Sequence, residues 1–230
     1  MKVLILRPEP GASASAARAE ALGLAPIKVP LFTVRPLDWG APQGVDALLL
    51  TSANAVRHGG PGLAALRGLP CFAVGEATAA AAREAGFRDV RSGPSDGAAL
   101  LPIVAAAGHR RILHLCGRDH IPLAHDGLTI ERRIAYAADA VEALPAPALA
   151  ALGEGVLVLV HSPRAGALLA RLAPFKARNS LAAISAAAAD AAGPGWRAVH
   201  VAAAPRDDAL LELAAKLCNS GAAGRTGQDG

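Results

Sequence analysis

Thr51 and Ser52 end the apolar run Ala47-Leu48-Leu49-Leu50, and Ala53-Asn54-Ala55-Val56 follows them. An apolar run that stops in hydroxyl residues and then turns helical reads as a buried parallel strand, a tight turn and a helix N-terminus. Either hydroxyl can cap that helix. The unpaired backbone N–H groups of such a turn suit an anion. The same design recurs at Val156–Val160, His161, Ser162, Pro163 and Arg164, with Ser162 lying 110 positions after Ser52. Ser162 is the expected cap there, and Pro163 the first helical residue, where proline is favoured.

Other ends of apolar runs carry similar groups. Arg7 follows Val3–Leu6, Gly75 and Thr78 follow Cys71–Val74, Gly117 and Arg118 follow Ile112–Cys116, and Ser185 follows Leu181–Ile184. Small hydroxyls, backbone N–H groups and arginines are suited to holding carboxylates or phosphates and poorly suited to nucleophilic or metal chemistry. No GxGxxG follows a strand, and neither GxxxxGK[ST] nor GxSxG occurs, so nicotinamide, P-loop and nucleophile-elbow chemistry lack a motif. His109, His114, His120 and His125 are close in sequence but lack metal-ligand spacing, so no metal is expected. Cys71, Cys116 and Cys218 stand far apart with no CxxC, which implies neither a zinc knuckle nor a disulfide framework. Each feature also has a plainer role. Ser52 and Ser162 cap helices with or without a ligand, Thr78 lies a turn inside its helix, and a single tyrosine such as Tyr136 commonly packs with its hydroxyl wet.

The elements that must position these groups alternate. Strands are expected at 3–6, 27–34, 46–51, 71–74, 89–91, 111–115, 156–160, 181–184 and 198–201. Helices are expected between them, among them 13–22, 97–107 and 208–218. Residues 130–141 read as extended, with a helical alternative over 131–140. Alternation of this kind predicts α/β architecture with parallel sheets. With 53% apolar residues but only 3% aromatics, the core must be built from Ala, Leu, Val and Ile. Ala73-Val74-Gly75 aligns with Ala183-Ile184-Ser185, again 110 positions on, and Pro94-Ser95-Asp96 aligns with Pro205-Arg206-Asp207. A duplication of such long period means two similar lobes rather than a solenoid, and ligands of open parallel sheets bind outside the carboxyl ends of the strands. Arg35 to Pro42 is a linker candidate, Gly93–Gly97 is turn-like, and the Gly-rich residues 219–230 read as a disordered tail. A net charge of +4 from scattered Lys and Arg suits an acidic small molecule and does not suggest nucleic acid. No apolar stretch reaches membrane-spanning length. The first strand starts with no signal-peptide pattern before it, so a reducing cytoplasm is the expected location.

With these strand ends assembled, the sequence resembles the uroporphyrinogen-III synthase family. The resemblance is carried by Val3-Leu4-Ile5-Leu6-Arg7-Pro8, Leu50-Thr51-Ser52-Ala53-Asn54-Ala55-Val56, Ala73-Val74-Gly75-Glu76-Ala77-Thr78-Ala79, Leu115-Cys116-Gly117-Arg118, Tyr136 and His161-Ser162-Pro163-Arg164-Ala165. It implies two α/β lobes joined by a two-stranded connection: 1–34 with 143–218, and 38–138. It implies a monomeric lyase that needs no cofactor. The substrate would be hydroxymethylbilane, a linear tetrapyrrole with eight carboxylates, closed with inversion of its terminal pyrrole and loss of water. Tyr136 would assist the departing hydroxyl. Thr51, Ser52, Gly75, Thr78, Gly117, Ser162 and Ser185 would hold acetates and propionates, and Arg7, Arg118 and Arg164 would supply charge. Relatives commonly carry Gly and then Thr in the second-lobe loop, whereas this chain has Ser185 and Ala188. The competing expectation is a cytoplasmic two-lobe binding or sensor protein for an anionic small molecule.

Overall fold

The computed structural model describes residues 2–93 and 96–223. The chain divides into two compact units, Met1–Thr33 with Ala140–Gly230, and Val34–Asp139. In chain order, β1 (Lys2–Ile5), α1 (Gly11–Ala21) and β2 (Ala25–Lys28) open the first unit. β3 (Phe32–Pro36) leads into the second, which holds β4 (Ala47–Leu50), α2 (Ala53–Arg57), β5 (Cys71–Val74), α3 (Glu76–Glu84), β6 (Val90–Gly93), α4 (Gly97–Ala106), β7 (Arg111–Gly117) and β8 (Thr129–Ala140). The first unit then resumes with α5 (Ala146–Glu154), β9 (Leu157–Val160), α6 (Pro163–Leu172), β10 (Ser180–Ala183), α7 (Ala186–Ala191), β11 (Ala198–Val201) and α8 (Asp207–Ala223).

Each unit is a sheet flanked by helices. The first sheet has the order β11-β10-β9-β1-β2, with every neighbouring pair parallel. The second has the order β3-β8-β7-β4-β5-β6 and is parallel from β8 to β6. β3 runs against β8, since the Leu37 N–H donates to the Ala135 carbonyl and the Val141 N–H to the Leu31 carbonyl. These two strands form the connection between the units. Strands covered on both faces must be apolar throughout, and Ala47–Leu50 and Leu157–Val160 are buried at every residue. Each leucine so buried contributes about 1.5–3 kcal/mol of transfer free energy. In the second unit Leu48, Leu50, Leu113 and Leu115 pack one face of the sheet, while Ala47, Leu49, Phe72 and Ile112 pack the other against α4. In the first unit Val3, Ile5, Leu157 and Leu159 pack with α1 and α8.

Two boundaries differ from the sequence expectation, and one expected strand is found as read. The strand expected over 27–34 is two strands. The N–H groups of Val29 and Leu31 donate to the carbonyls of Ile5 and Leu6, and beyond Leu31 the chain leaves β1 and runs beside β8, so the extended run is divided between two sheets. The last helix does not stop at 218 but runs to Ala223. The expected disordered tail therefore begins inside α8, and its remainder, 224–230, lies outside the described residues, as do Pro94 and Ser95 of the Gly93–Gly97 turn. Residues 129–140 form one long strand, without the helical alternative.

Candidate active site

In the second unit the chain builds β4, β5 and β6 outward and then returns to place β7 on the other side of β4. The loops leaving β4 and β7 diverge at that reversal, which opens a crevice at the carboxyl edge of the sheet. A pocket of about 520 Å³ sits there, and Thr51, Ser52, Gly117, His120 and Tyr136 are in its wall. The N-terminus of α4, Asp96 to Ala98, and the loop residues Ile121 to Leu123 close its other side. Of the helices that start at this edge, α2 and α4 are capped by side chains. Ser52 Oγ accepts from the Asn54 N–H at 3.2 Å, and Asp96 Oδ1 accepts from the Ala98 N–H at 2.9 Å. A serine hydroxyl that accepts a capping bond still has its own proton to donate, so Ser52 remains a donor at the pocket.

Tyr136 reaches this edge through a register shift. β7 and β8 pair residue for residue from Arg111–Thr129 to Cys116–Ile134, and then Gly117 pairs with Tyr136 instead of Ala135. A bulge of this kind re-aims the side chains after it. The phenol ring then lies over Gly117, where a β-carbon would stand 2.6 Å from Tyr136 Cζ and 2.8 Å from its Oη. Gly117 is therefore the floor on which the ring rests. On the far side the His58 ring is 6.2 Å away, centroid to centroid.

Behind the pocket, His114 lies in the apolar face of β7. Period-two alternation puts it on the same face as Leu49 and Thr51, and its Nε2 is 3.1 Å from Thr51 Oγ1. His114 is 1% exposed, and its Nδ1 has no hydrogen-bond partner among the described residues. Burial, with the neighbouring His120 and Arg132 adding to it, pushes its pKa down to about 4. It is therefore neutral at ordinary pH. His120 meets His114 edge-on at 6.1 Å, and its Nδ1 lies 2.9 Å from the Gly117 carbonyl and 3.2 Å from that of Arg118. Burial raises the Cys71 thiol to about 12, with Asp89 adding to it, and the Cys116 thiol to about 11, so neither is a thiolate nucleophile. Among the described residues no group of three His, Cys, Asp or Glu side chains is placed to hold a metal ion.

Of the residues singled out in the sequence, Thr51, Ser52, Gly117 and Tyr136 thus share one pocket. Gly75 starts α3 with φ +72, a left-handed backbone that favours glycine, and Thr78 is buried inside that helix. Neither is part of the pocket wall. Arg118 is ion-paired at 2.6 Å with Asp139, which Arg35 also holds. His114 and His120 have site positions that sequence spacing did not single out. Their only signal was a polar residue inside an apolar strand and a histidine in the loop after it.

The first unit holds the other four residues. Ser162 and Ser185 cap α6 and α7, accepting from the N–H groups of Ala165 and Ala188. The Arg164 guanidinium lies 4.6 Å from the Phe32 ring centroid. Arg7 is committed internally. Its Nη1 donates to Ser15 Oγ at 3.1 Å and to Asp207 Oδ1 at 3.0 Å. Asp207 also accepts from Ser15 at 2.7 Å, from Arg18 at 2.6 Å and from His161 Nε2 at 2.8 Å. Burial alone would raise the Asp207 pKa, but the bonds from His161 and Ser15 and the charge of Arg7 outweigh it and hold the carboxyl well below its usual range. Burial keeps His161 below its ordinary value despite that partner, so a neutral imidazole donates to a carboxylate.

The model of one protein family, described as uroporphyrinogen-III synthase HemD, matches residues 13–212. No curated protein sequence matches the chain significantly. Among solved structures, a uroporphyrinogen-III synthetase from Helicobacter pylori superposes with a TM-score of 0.66 at 18% identity, covering 94% of this chain and 98% of its own. A mutant uroporphyrinogen III synthase from Thermus thermophilus superposes at 0.55 with 20% identity, covering 96% and 99%. At such identities the structural likeness speaks for the fold, and the family match speaks for membership.

Proposed function

The chain belongs to the uroporphyrinogen-III synthase family, and on that premise we propose that the pocket at the β4–β7 reversal is where it works on its substrate. The enzyme is a lyase of tetrapyrrole biosynthesis that closes hydroxymethylbilane with inversion of the terminal pyrrole and loss of water. The family match over residues 13–212 carries this reading.

The chemistry asks little of any one side chain. The pyrrole's own electrons expel the hydroxyl once a donor stabilises it, leaving a cation on the methylene carbon. Attack by the already substituted carbon of the last ring gives a spiro intermediate, and reopening and reclosing inverts that ring. The enzyme must hold the chain so that this attack outruns direct closure, which is catalysis by orientation. A preference of about a hundred needs only about 2.7 kcal/mol of differential transition-state stabilisation. In our reading Tyr136 donates a hydrogen bond to the departing oxygen, because a neutral phenol is a weak acid but a good donor. Thr51 and Ser52 hold substrate carboxylates at the same edge. Ser162, Ser185 and Arg164 do so in the first unit, where the serines keep a proton to donate after capping. Gly75 and Thr78 shape the loop after β5. Arg7 and Arg118, paired with Asp207 and Asp139, act by fixing strand ends rather than as free charges.

We further propose that the enzyme acts as a monomer in the cytoplasm, a reading supported by its three free cysteines. Among the described residues no helix is long and apolar enough to cross a membrane. The test is to give the protein freshly made hydroxymethylbilane and separate the oxidised products by isomer. The type III isomer is expected, and the type I isomer alone would refute the assignment.

A further inference from the structure

We propose that His120 is the proton carrier of this reaction, giving a proton to the departing hydroxyl and taking one back at ring closure. The inference rests on the assignment of the pocket above. Its ground is the way the ring is held. Nδ1 faces two backbone carbonyls, those of Gly117 at 2.9 Å and Arg118 at 3.2 Å. A carbonyl only accepts, so Nδ1 must carry hydrogen in the neutral ring as well as in the cation. The proton that comes and goes is then confined to Nε2. A histidine with one nitrogen pinned by a carbonyl has its other nitrogen left to exchange a proton with a ligand. His120 is in the wall of the same pocket as Tyr136 and Thr51.

Other polar groups around that pocket are held in other ways. Its wall also holds the carboxyl groups of Asp96 and Asp119. Asp96 Oδ1 is engaged in accepting from the Ala98 N–H. His114, edge-on to His120, is buried with Nε2 engaged by Thr51 Oγ1.

The steps balance. The proton on Nε2 passes to the hydroxymethyl oxygen, the carbon–oxygen bond breaks with its electron pair on oxygen, and water leaves. The pyrrole nitrogen's lone pair stabilises the cation that remains, and His120 is now neutral. After the spiro intermediate reopens, the free α-carbon of the inverted ring forms the closing bond. That carbon then loses its hydrogen as a proton to Nε2, which restores both the aromatic pyrrole and the protonated His120.

The experiment compares wild type with His120→Gln and His120→Asn. Formation of the type III isomer is followed against pH, with thermal unfolding as the folding control. The asparagine variant keeps an N–H near the position of Nδ1, so it carries the test if the glutamine variant does not fold. For a lost general acid, kcat is expected to fall about 100-fold with KM changed less than about threefold. The pH profile of kcat/KM should change with it. Nitrogen-15 NMR of free wild-type protein should find neutral His120 protonated at Nδ1. Wild-type kcat and an unchanged pH profile in a folded variant, or a neutral ring protonated at Nε2, would overturn the proposal while leaving the enzyme assignment intact. Wild-type protein yielding only the type I isomer would overturn both.

Discussion

A β-carbon added at Gly117 tests whether Tyr136 works by position. In Gly117→Ala the new carbon would stand 2.6 Å from Tyr136 Cζ and 2.8 Å from its Cε2 and Oη. Non-bonded carbons settle at about 3.5–4.0 Å, so the ring must retreat by about 1 Å. The backbone is not the obstacle, because Gly117 lies outside the left-handed region. The ring has somewhere to go, since Tyr136 is only half-buried and borders the pocket. Overpacking costs about 1–3 kcal/mol where nothing can move. Here it should stay near the low end, and replacing glycine in a strand returns roughly 0.5–1 kcal/mol of chain entropy. Net stability should therefore change by less than about 1 kcal/mol, or about 2–4 °C in Tm for a chain of this size. Turnover should not be spared, because a misplacement of about 1 Å costs on the order of 100-fold, or about 2.7 kcal/mol.

The assay is the initial rate of type III isomer formation alongside a thermal melt, for Gly117→Ala, Tyr136→Phe and the double variant. Both single changes act on one phenol. The double variant should then be no slower than the slower single one, which is the non-additivity of coupled residues. Wild-type turnover in Gly117→Ala would refute the positional account, and fully additive losses would separate Gly117 from Tyr136.

Two further outcomes follow from the buried polar groups. His114 titrates near 6.5 when unfolded and at about 4 when folded, so between those values the unfolded chain holds a proton that the folded one lacks. Its stabilising contribution is complete above pH 6.5 and is lost as the pH falls towards 4, at up to about 1.4 kcal/mol per pH unit and about 3 kcal/mol in all. Urea unfolding of His114→Phe should lack that share of the acid loss, while the similar loss from His161 remains, and identical pH slopes would contradict the assignment. Asp207→Asn leaves Arg7, Arg18 and His161 without their carboxylate and should cost about 2–4 kcal/mol at pH 7. Because the folded carboxyl is held well below its ordinary value, that difference should persist under mild acid and shrink only below about pH 4, where the unfolded aspartate protonates. A difference insensitive to acid would indicate a packing effect instead.

The fold was legible because its signals are local. The runs Leu48-Leu49-Leu50 and Leu157-Val158-Leu159-Val160, short and bounded by turn residues, read as strands buried on both faces, and Ser52, Ser162 and Ser185 each mark a helix start that the structure caps with that side chain. The misplaced boundaries lie where two rules competed. Pro30 interrupts a run apolar enough to read as one strand, and Asn219 to Ala223 continue a helix through residues that composition alone assigns to a tail. The site was legible only in part because its key relations are not local. Nothing in Ile134-Ala135-Tyr136 announces the one-residue slip that sets Tyr136 over Gly117. Likewise His114 reads as one polar residue in an apolar run until pairing with β4 brings Thr51 within 3.1 Å of it.

The duplication shows how the same strand end came to carry different groups in the two units. Both sheets reverse their build order beside a central strand, β4 against β7 in one unit and β9 against β1 in the other. The 110-residue offset sets Thr51 against His161 and Ser52 against Ser162. The serines kept one role, as both cap the helix that follows. The residues before them diverged in size and charge partner. Thr51 is small, leans back on His114, and leaves a pocket in front of it. His161 is large and donates to Asp207, whose carboxylate is surrounded by Arg7, Ser15 and Arg18. Asp207 answers in sequence to Asp96, which in the other unit caps α4 and stays at the pocket wall. A carboxylate that three other donors already hold in place is satisfied internally, whereas a wall of hydroxyls, a glycine floor and an imidazole pinned at one nitrogen has donors left for a ligand. The frame and its caps are shared, while Thr51 and His161 before them face different partners.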